Sequence, residues 1–111
     1  MKTYSAQSGY VYQYFYEGHR VISTTDSGLE YVFSISADRK NWHPVSVLLA
    51  DSAITSWEQS RTRELNSTER YAVVKIALFQ AFDDRTAPEQ MSHPIHVRFA
   101  DIEAIVETLG L

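Results

Sequence analysis

The stretch from Tyr10 to Tyr16 reads YVYQYFY and places a tyrosine at every second position. Side chains two residues apart point to the same face of a β-strand, so one strand would carry all of these tyrosines on one side. Such a row forms either one wall of a hydrophobic core or an exposed platform on which a ligand stacks. How this strand pairs with its neighbours decides between the two.

The first half of the chain has the pattern of an antiparallel meander. Runs of β-branched and aromatic residues alternate with Gly, Asp, Asn and Ser, the residues that favour turns. Glu17-Gly18 is predicted as a two-residue hairpin turn and Asp26-Ser27-Gly28 as a three-residue loop. The predicted strands are residues 10–16, 19–25, 29–36, 44–50 and 53–59.

These turn lengths predict that the tyrosine row points inward. Tyr14 would lie opposite Val21, and Val21 opposite Phe33, so the tyrosines share a face with the apolar side of the third strand. That side alternates with glutamate and serine, which favours its burial. A slip of one residue would send the row to the other face, so the prediction depends on both turns.

A binding role for the tyrosines remains open as the alternative interpretation. Tyr12, Tyr14 and Tyr16 could direct their hydroxyl groups towards a ligand held between the sheet and a covering helix. His19 would then lie beside Tyr16 at the sheet edge, where it could accept a proton.

The second half changes from strand to helix. Asn66 and Glu69 have the spacing of a capping box, and residues 71–82 form a helix that is apolar around most of its circumference and therefore buried. Residues 93–99 are predicted as a short strand and residues 101–109 as a helix capped by Gly110. The predicted fold is a single α+β domain over residues 1–111. It is an antiparallel β-meander of about five strands packed on one long buried helix, followed by a short strand and a C-terminal helix.

Composition restricts the function classes. The formal net charge of -4 disfavours general nucleic-acid binding, which needs a concentration of Lys and Arg. The absence of cysteine excludes disulfides and thiolate metal sites, and together with the absence of a signal or membrane-spanning run it predicts a cytoplasmic protein. His93 and His96 are the ends of an H-x-x-H motif, but Pro94 favours an extended backbone that points them to opposite faces. We expect no metal and no other cofactor.

Two surfaces are candidates for contact with a partner. Arg39, Lys40 and Trp42 combine positive charge with an aromatic ring on a predicted turn, a combination suited to contact with nucleic acid or a protein partner. Trp42 is equally suited to plug the end of the sheet and to project from it. The sheet face opposite the tyrosines carries Val11 and Phe15, and it is unusually apolar for a face in contact with water.

No catalytic motif occurs in the chain, which leaves enzymatic activity uncertain and disfavoured. We therefore predict a small soluble non-catalytic interaction protein that acts through protein–protein contact or self-association, without membrane binding. The alternative is a small-ligand-binding or enzymatic domain with a pocket between the tyrosine-rich sheet face and the long helix.

Overall fold

A computed structural model describes residues 1–23 and 27–111 of the chain. One sheet and three α-helices make an α+β fold, as predicted. The elements follow in the order β1 Lys2–Ser5, β2 Val11–Ile22, β3 Gly28–Ser36, β4 His43–Ala50, α1 Asp51–Arg61, α2 Ser67–Asp84, a short 3-10 helix Pro88–Ser92, β5 Ile95–Val97 and α3 Phe99–Leu109.

The five strands lie side by side in chain order. The first four pair antiparallel, whereas β5 pairs parallel to β4. A parallel neighbour requires a long crossover connection, which α1 and α2 supply between β4 and β5. The predicted short strand and C-terminal helix are confirmed as β5 and α3.

Strand β2 corrects the predicted hairpin at Glu17-Gly18. The chain does not turn there but continues as one strand, with a β-bulge where the pairing passes from Tyr16–Phe33 to Gly18–Val32. Gly18 takes φ 137°, a conformation that glycine adopts without a steric penalty. The predicted second strand becomes the far half of β2, and its residues 24 and 25 lie outside the described residues.

The sheet differs from the prediction in two further places. Residues 2–5, predicted as no element, form the edge strand β1, in which Tyr4 pairs with Tyr12. Residues 53–59, predicted as a strand, belong to helix α1. Ala53, Ile54 and Trp57 are its buried residues, and they lie on one face only at helical spacing.

The tyrosine row forms one wall of the core at Tyr12 and Tyr14, as the core interpretation predicted, whereas Tyr16 is half-buried and Tyr10 is exposed. Tyr12 and Tyr14 are buried, and the Tyr12 ring stacks on Phe82 of α2 with ring centroids 4.2 Å apart. Phe79, one turn earlier in the helix, meets Tyr14 edge-on at 5.4 Å. The inward direction survives the wrong turn because Tyr14 pairs directly with Ile35, which is itself in the core.

Helix α2 begins at the predicted capping box. The Asn66 side chain accepts a hydrogen bond from the Glu69 backbone N–H at 2.8 Å, and the Glu69 carboxylate accepts one from the Asn66 N–H. These bonds pair the first free amides of the helix and fix the residue at which it begins. Among the described residues, no helix combines the length and the apolar character that crossing a membrane would demand.

Candidate functional site

The sheet face turned away from the helices, which we call the open face, carries a group of exposed apolar side chains. Val11 and Phe15 project from it on either side of Gln13 in β2. Trp42 comes directly before β4, and the alternation of that strand, extended by one residue, assigns it to the same side as Pro44. Their exposed fractions are 44% for Val11, 50% for Phe15 and 41% for Trp42. We call these three residues the apolar patch.

Gln13 lies between Val11 and Phe15 on this face and is itself buried, with 2% of its surface exposed. Its side-chain oxygen Oε1 has no hydrogen-bond donor among the described residues. An acceptor removed from water without a partner destabilises the folded chain, and this oxygen lies beneath the surface, out of reach of a molecule that docks on the face. The patch therefore lies over one unsatisfied polar atom.

The turn between β3 and β4 carries two basic side chains, Arg39 and Lys40, close in sequence to Trp42 of the patch. Asp38 accepts hydrogen bonds from the backbone N–H groups of Lys40 and Asn41, each at 2.8 Å. The bond from the Asn41 N–H, followed by that from Lys40, holds the pKa of the Asp38 carboxyl well below its usual range. Arg39 takes a left-handed conformation with φ 65°. Asp38 thus orders the turn, and Arg39 and Lys40 are both exposed on it.

Tyr16 and His19 form a hydrogen-bonded pair on the helix side of β2. The Tyr16 hydroxyl lies 2.8 Å from His19 Nδ1, and the Tyr31 ring lies 5.2 Å from the His19 ring. Residues three apart in a regular strand point to opposite faces, so the bulge is what places both on one side. Burial, and then the nearby Tyr71 hydroxyl, raise the pKa of the Tyr16 phenol. The expected proximity of His19 to Tyr16 is present, although it arises from a bulge.

The space between the tyrosine row and the long helix is filled. Phe79 and Phe82 occupy it in ring contact with Tyr12 and Tyr14, so the phenols face side chains there. A groove of about 740 Å³ lies elsewhere, at the end of the sheet where α1 and α3 begin. Its lining is largely apolar and includes Leu49, Ala53, Ser56, His96 and Phe99.

No metal site stands out in residues 1–23 and 27–111, since no three His, Asp or Glu side chains come together as ligands there. His93 precedes β5 and His96 lies within it, and both are exposed.

The candidate residues from the sequence fall into three separate places. Tyr12 and Tyr14 are core, Tyr16 and His19 lie on either side of the bulge in β2, and the turn carrying Arg39, Lys40 and Trp42 adjoins the open face. The sequence did not identify Gln13 as a site residue. Its one distinguishing feature there is that it is a polar residue between Val11 and Phe15, on the face of the strand opposite the tyrosines. No known protein family, curated protein or solved structure matches this chain.

Proposed function

We propose that this protein is a small, soluble, non-catalytic interaction protein that binds a protein partner through its open face. The observation that supports this most directly is the apolar patch of Val11, Phe15 and Trp42, exposed on the face that the helices leave uncovered. Large apolar groups grouped at a surface are typical of protein contact sites, and tryptophan is frequent among the residues that dominate binding energy.

The surroundings of the patch define the chemistry of the partner. Arg39 and Lys40 form no salt bridge with the acidic residues that the structure describes. They should therefore attract a partner that carries carboxylates next to an apolar side chain. The formal net charge of -4 over the whole chain argues against general nucleic-acid binding.

Site-specific photo-crosslinking tests the open face. A photoactivatable amino acid is placed at position 11 or 42, and at the exposed position 55 on α1 as a matched control. We expect one crosslinked protein of defined mass from positions 11 and 42, lost when Arg39 and Lys40 are both changed to Glu. Crosslinks from position 55 alone, or equal crosslinks from all three positions, would refute an open-face contact.

The location of the protein is part of the same proposal. We propose that it acts in the cytoplasm, because a chain without cysteine has no need of an oxidising compartment. Fractionation of the cells that make it, with the protein detected by antibody, checks this directly.

Small-molecule binding is the second candidate function, and the groove at the start of α1 and α3 favours it. Its volume suits a metabolite, and its apolar lining with Ser56 and His96 at the rim resembles the composition of ligand sites. Thermal melting against a metabolite and metal library, together with size-exclusion chromatography at several concentrations, separates the two. Ligand-dependent melting shifts favour the groove, whereas a concentration-dependent mass without such shifts favours protein contact.

A further inference from the structure

The outer edge of β2 is only partly paired. Strand β1 pairs with residues 11–14, and no described strand pairs with Phe15–Ile22 on that side. An unpaired strand edge presents backbone N–H and C=O groups in a row, which a further strand can bind by extending the sheet. Here that edge is as long as a typical whole strand.

The side chains along this edge show which strand would fit. Phe15, Glu17, Arg20 and Ile22 project on the open face, while Tyr16, His19 and Val21 project on the helix side. The bulge residues Glu17 and Gly18 share one position of the sheet, so the positions are symmetric about His19. Apolar residues lie at both ends, and an acidic and a basic residue flank the centre.

We infer that a second copy of this chain pairs with this edge, antiparallel and related by a two-fold axis at His19. In that register Arg20 lies opposite Glu17 of the partner subunit, and the reciprocal pair forms on the other side of the axis. Val21 lies opposite Tyr16 of the partner subunit, and Ile22 opposite Phe15 of the partner subunit. The two five-stranded sheets become continuous.

Charge and burial support a second copy over an unrelated strand. In this register each basic residue lies opposite an acidic one, and each apolar residue lies opposite an apolar one. A two-fold contact needs such self-complementarity, because both sides of it have the same sequence. The contact would also cover Val21, which has 71% of its surface exposed although it lies on the helix side of the sheet. Arg20 and Glu17 can both reach a partner strand. The Arg20 side chain is 75% exposed even in its pair with Glu30, and Ser34 is the only donor to Glu17 among the residues that the structure describes.

This inference shares only Phe15 with the open-face contact, since Val11, Trp42, Arg39 and Lys40 take no part in the edge contact. The two proposals can therefore fail separately. Variants of the turn should leave self-association unchanged, and variants of Glu17 or Arg20 should leave crosslinking from position 42 unchanged.

Charge reversal tests the register. Arg20→Glu and Glu17→Arg each place like charges opposite one another twice in the dimer, so each variant alone should raise the dissociation constant about tenfold or more. When the two variants are mixed in equal amounts, both pairs become attractive again, and the mixture should dimerise like the unaltered chain. Sedimentation velocity at several concentrations measures all three samples. Arg61→Glu on α1 is the matched control and should dimerise normally.

Glu17→Arg should fold as the unaltered chain does, because the Glu17 side chain is exposed. Arg20→Glu places a second carboxylate beside Glu30, whose side chain is only 13% exposed, so this variant should keep its fold but melt at a lower temperature. Circular dichroism melting verifies this before sedimentation. A monomeric unaltered chain at its highest soluble concentration would overturn the inference. So would single variants that dimerise as well as the unaltered chain, or a mixture that stays monomeric.

Discussion

The hydroxyl group of Tyr12 is buried with no hydrogen-bond partner in the described part of the chain, while the ring that carries it stacks on Phe82. A buried polar group left unpaired costs about 1–3 kcal/mol of stability. Tyr12→Phe removes only the oxygen and keeps the ring contact. Because the small void left behind offsets part of the gain, we expect unfolding free energy to rise by about 1 kcal/mol.

Tyr4→Phe is the matched control, since Tyr4 belongs to the same aromatic cluster but uses its hydroxyl. It donates to Asp83 Oδ2 at 2.8 Å, so its removal should lower the free energy of unfolding by about 1 kcal/mol. Urea unfolding followed by circular dichroism measures both. In thermal melts the two variants should move by about 4 °C in opposite directions.

A loss of stability in Tyr12→Phe, or equal losses in both variants, would refute the reasoning. The result also bears on function. A hydroxyl that is kept despite its cost, and whose removal stabilises the protein, would serve something other than folding.

The remaining predictions concern packing and pH. Gly28→Ala should lower the free energy of unfolding by about 2–3 kcal/mol, because the new Cβ would lie 2.4 Å from the Leu49 carbonyl oxygen and 2.9 Å from Ala50 Cα. An unchanged urea midpoint would contradict this. Burial raises the pKa of the Tyr12 and Tyr31 phenols, so their contribution to stability is complete below the ordinary tyrosine pKa of about 10 and is lost as the pH rises above it. Urea midpoints should therefore be steady to about pH 9 and then fall, with phenolate absorbance appearing together with unfolding. Ionisation of all tyrosines in a still folded protein would show this to be wrong.

The sequence predicts those parts of the fold that depend on local pattern. The capping box at Asn66 and Glu69 and the apolar run after it define α2 without reference to the rest of the chain. The alternation in β3 identifies its buried side in the same way. Both features rest on residues that are close together in the chain, so no distant contact has to be known.

The predictions fail where contacts between residues far apart in the sequence determine the structure. The pair Glu17-Gly18 after an alternating run is as suitable for a hairpin turn as for a bulge. The bulge forms because β3 pairs with both halves of β2. Residues 53–59 contain enough β-branched and aromatic residues for a strand, but their apolar groups meet α3 and the sheet only from a helix.

The candidate sites differed from one another in how far the sequence predicted them. The basic turn with Trp42 was visible from composition. The free edge of β2 was not, because it results from β1 pairing with residues 11–14 only. The buried, unsatisfied state of Gln13 likewise depends on neighbours in other strands, since Gln13 pairs with Ser36 on one side and Thr3 on the other.

The bulge at Glu17 and Gly18 gives β2 one residue more than β3 has at that point. A related chain shorter by one residue there would keep the pairing of both halves, because only the surplus residue disappears. Strand length and sheet register are thereby uncoupled. Insertion or deletion of one residue at this position can therefore change the side chains that the strand exposes, while the aromatic rings on its helix side keep their positions.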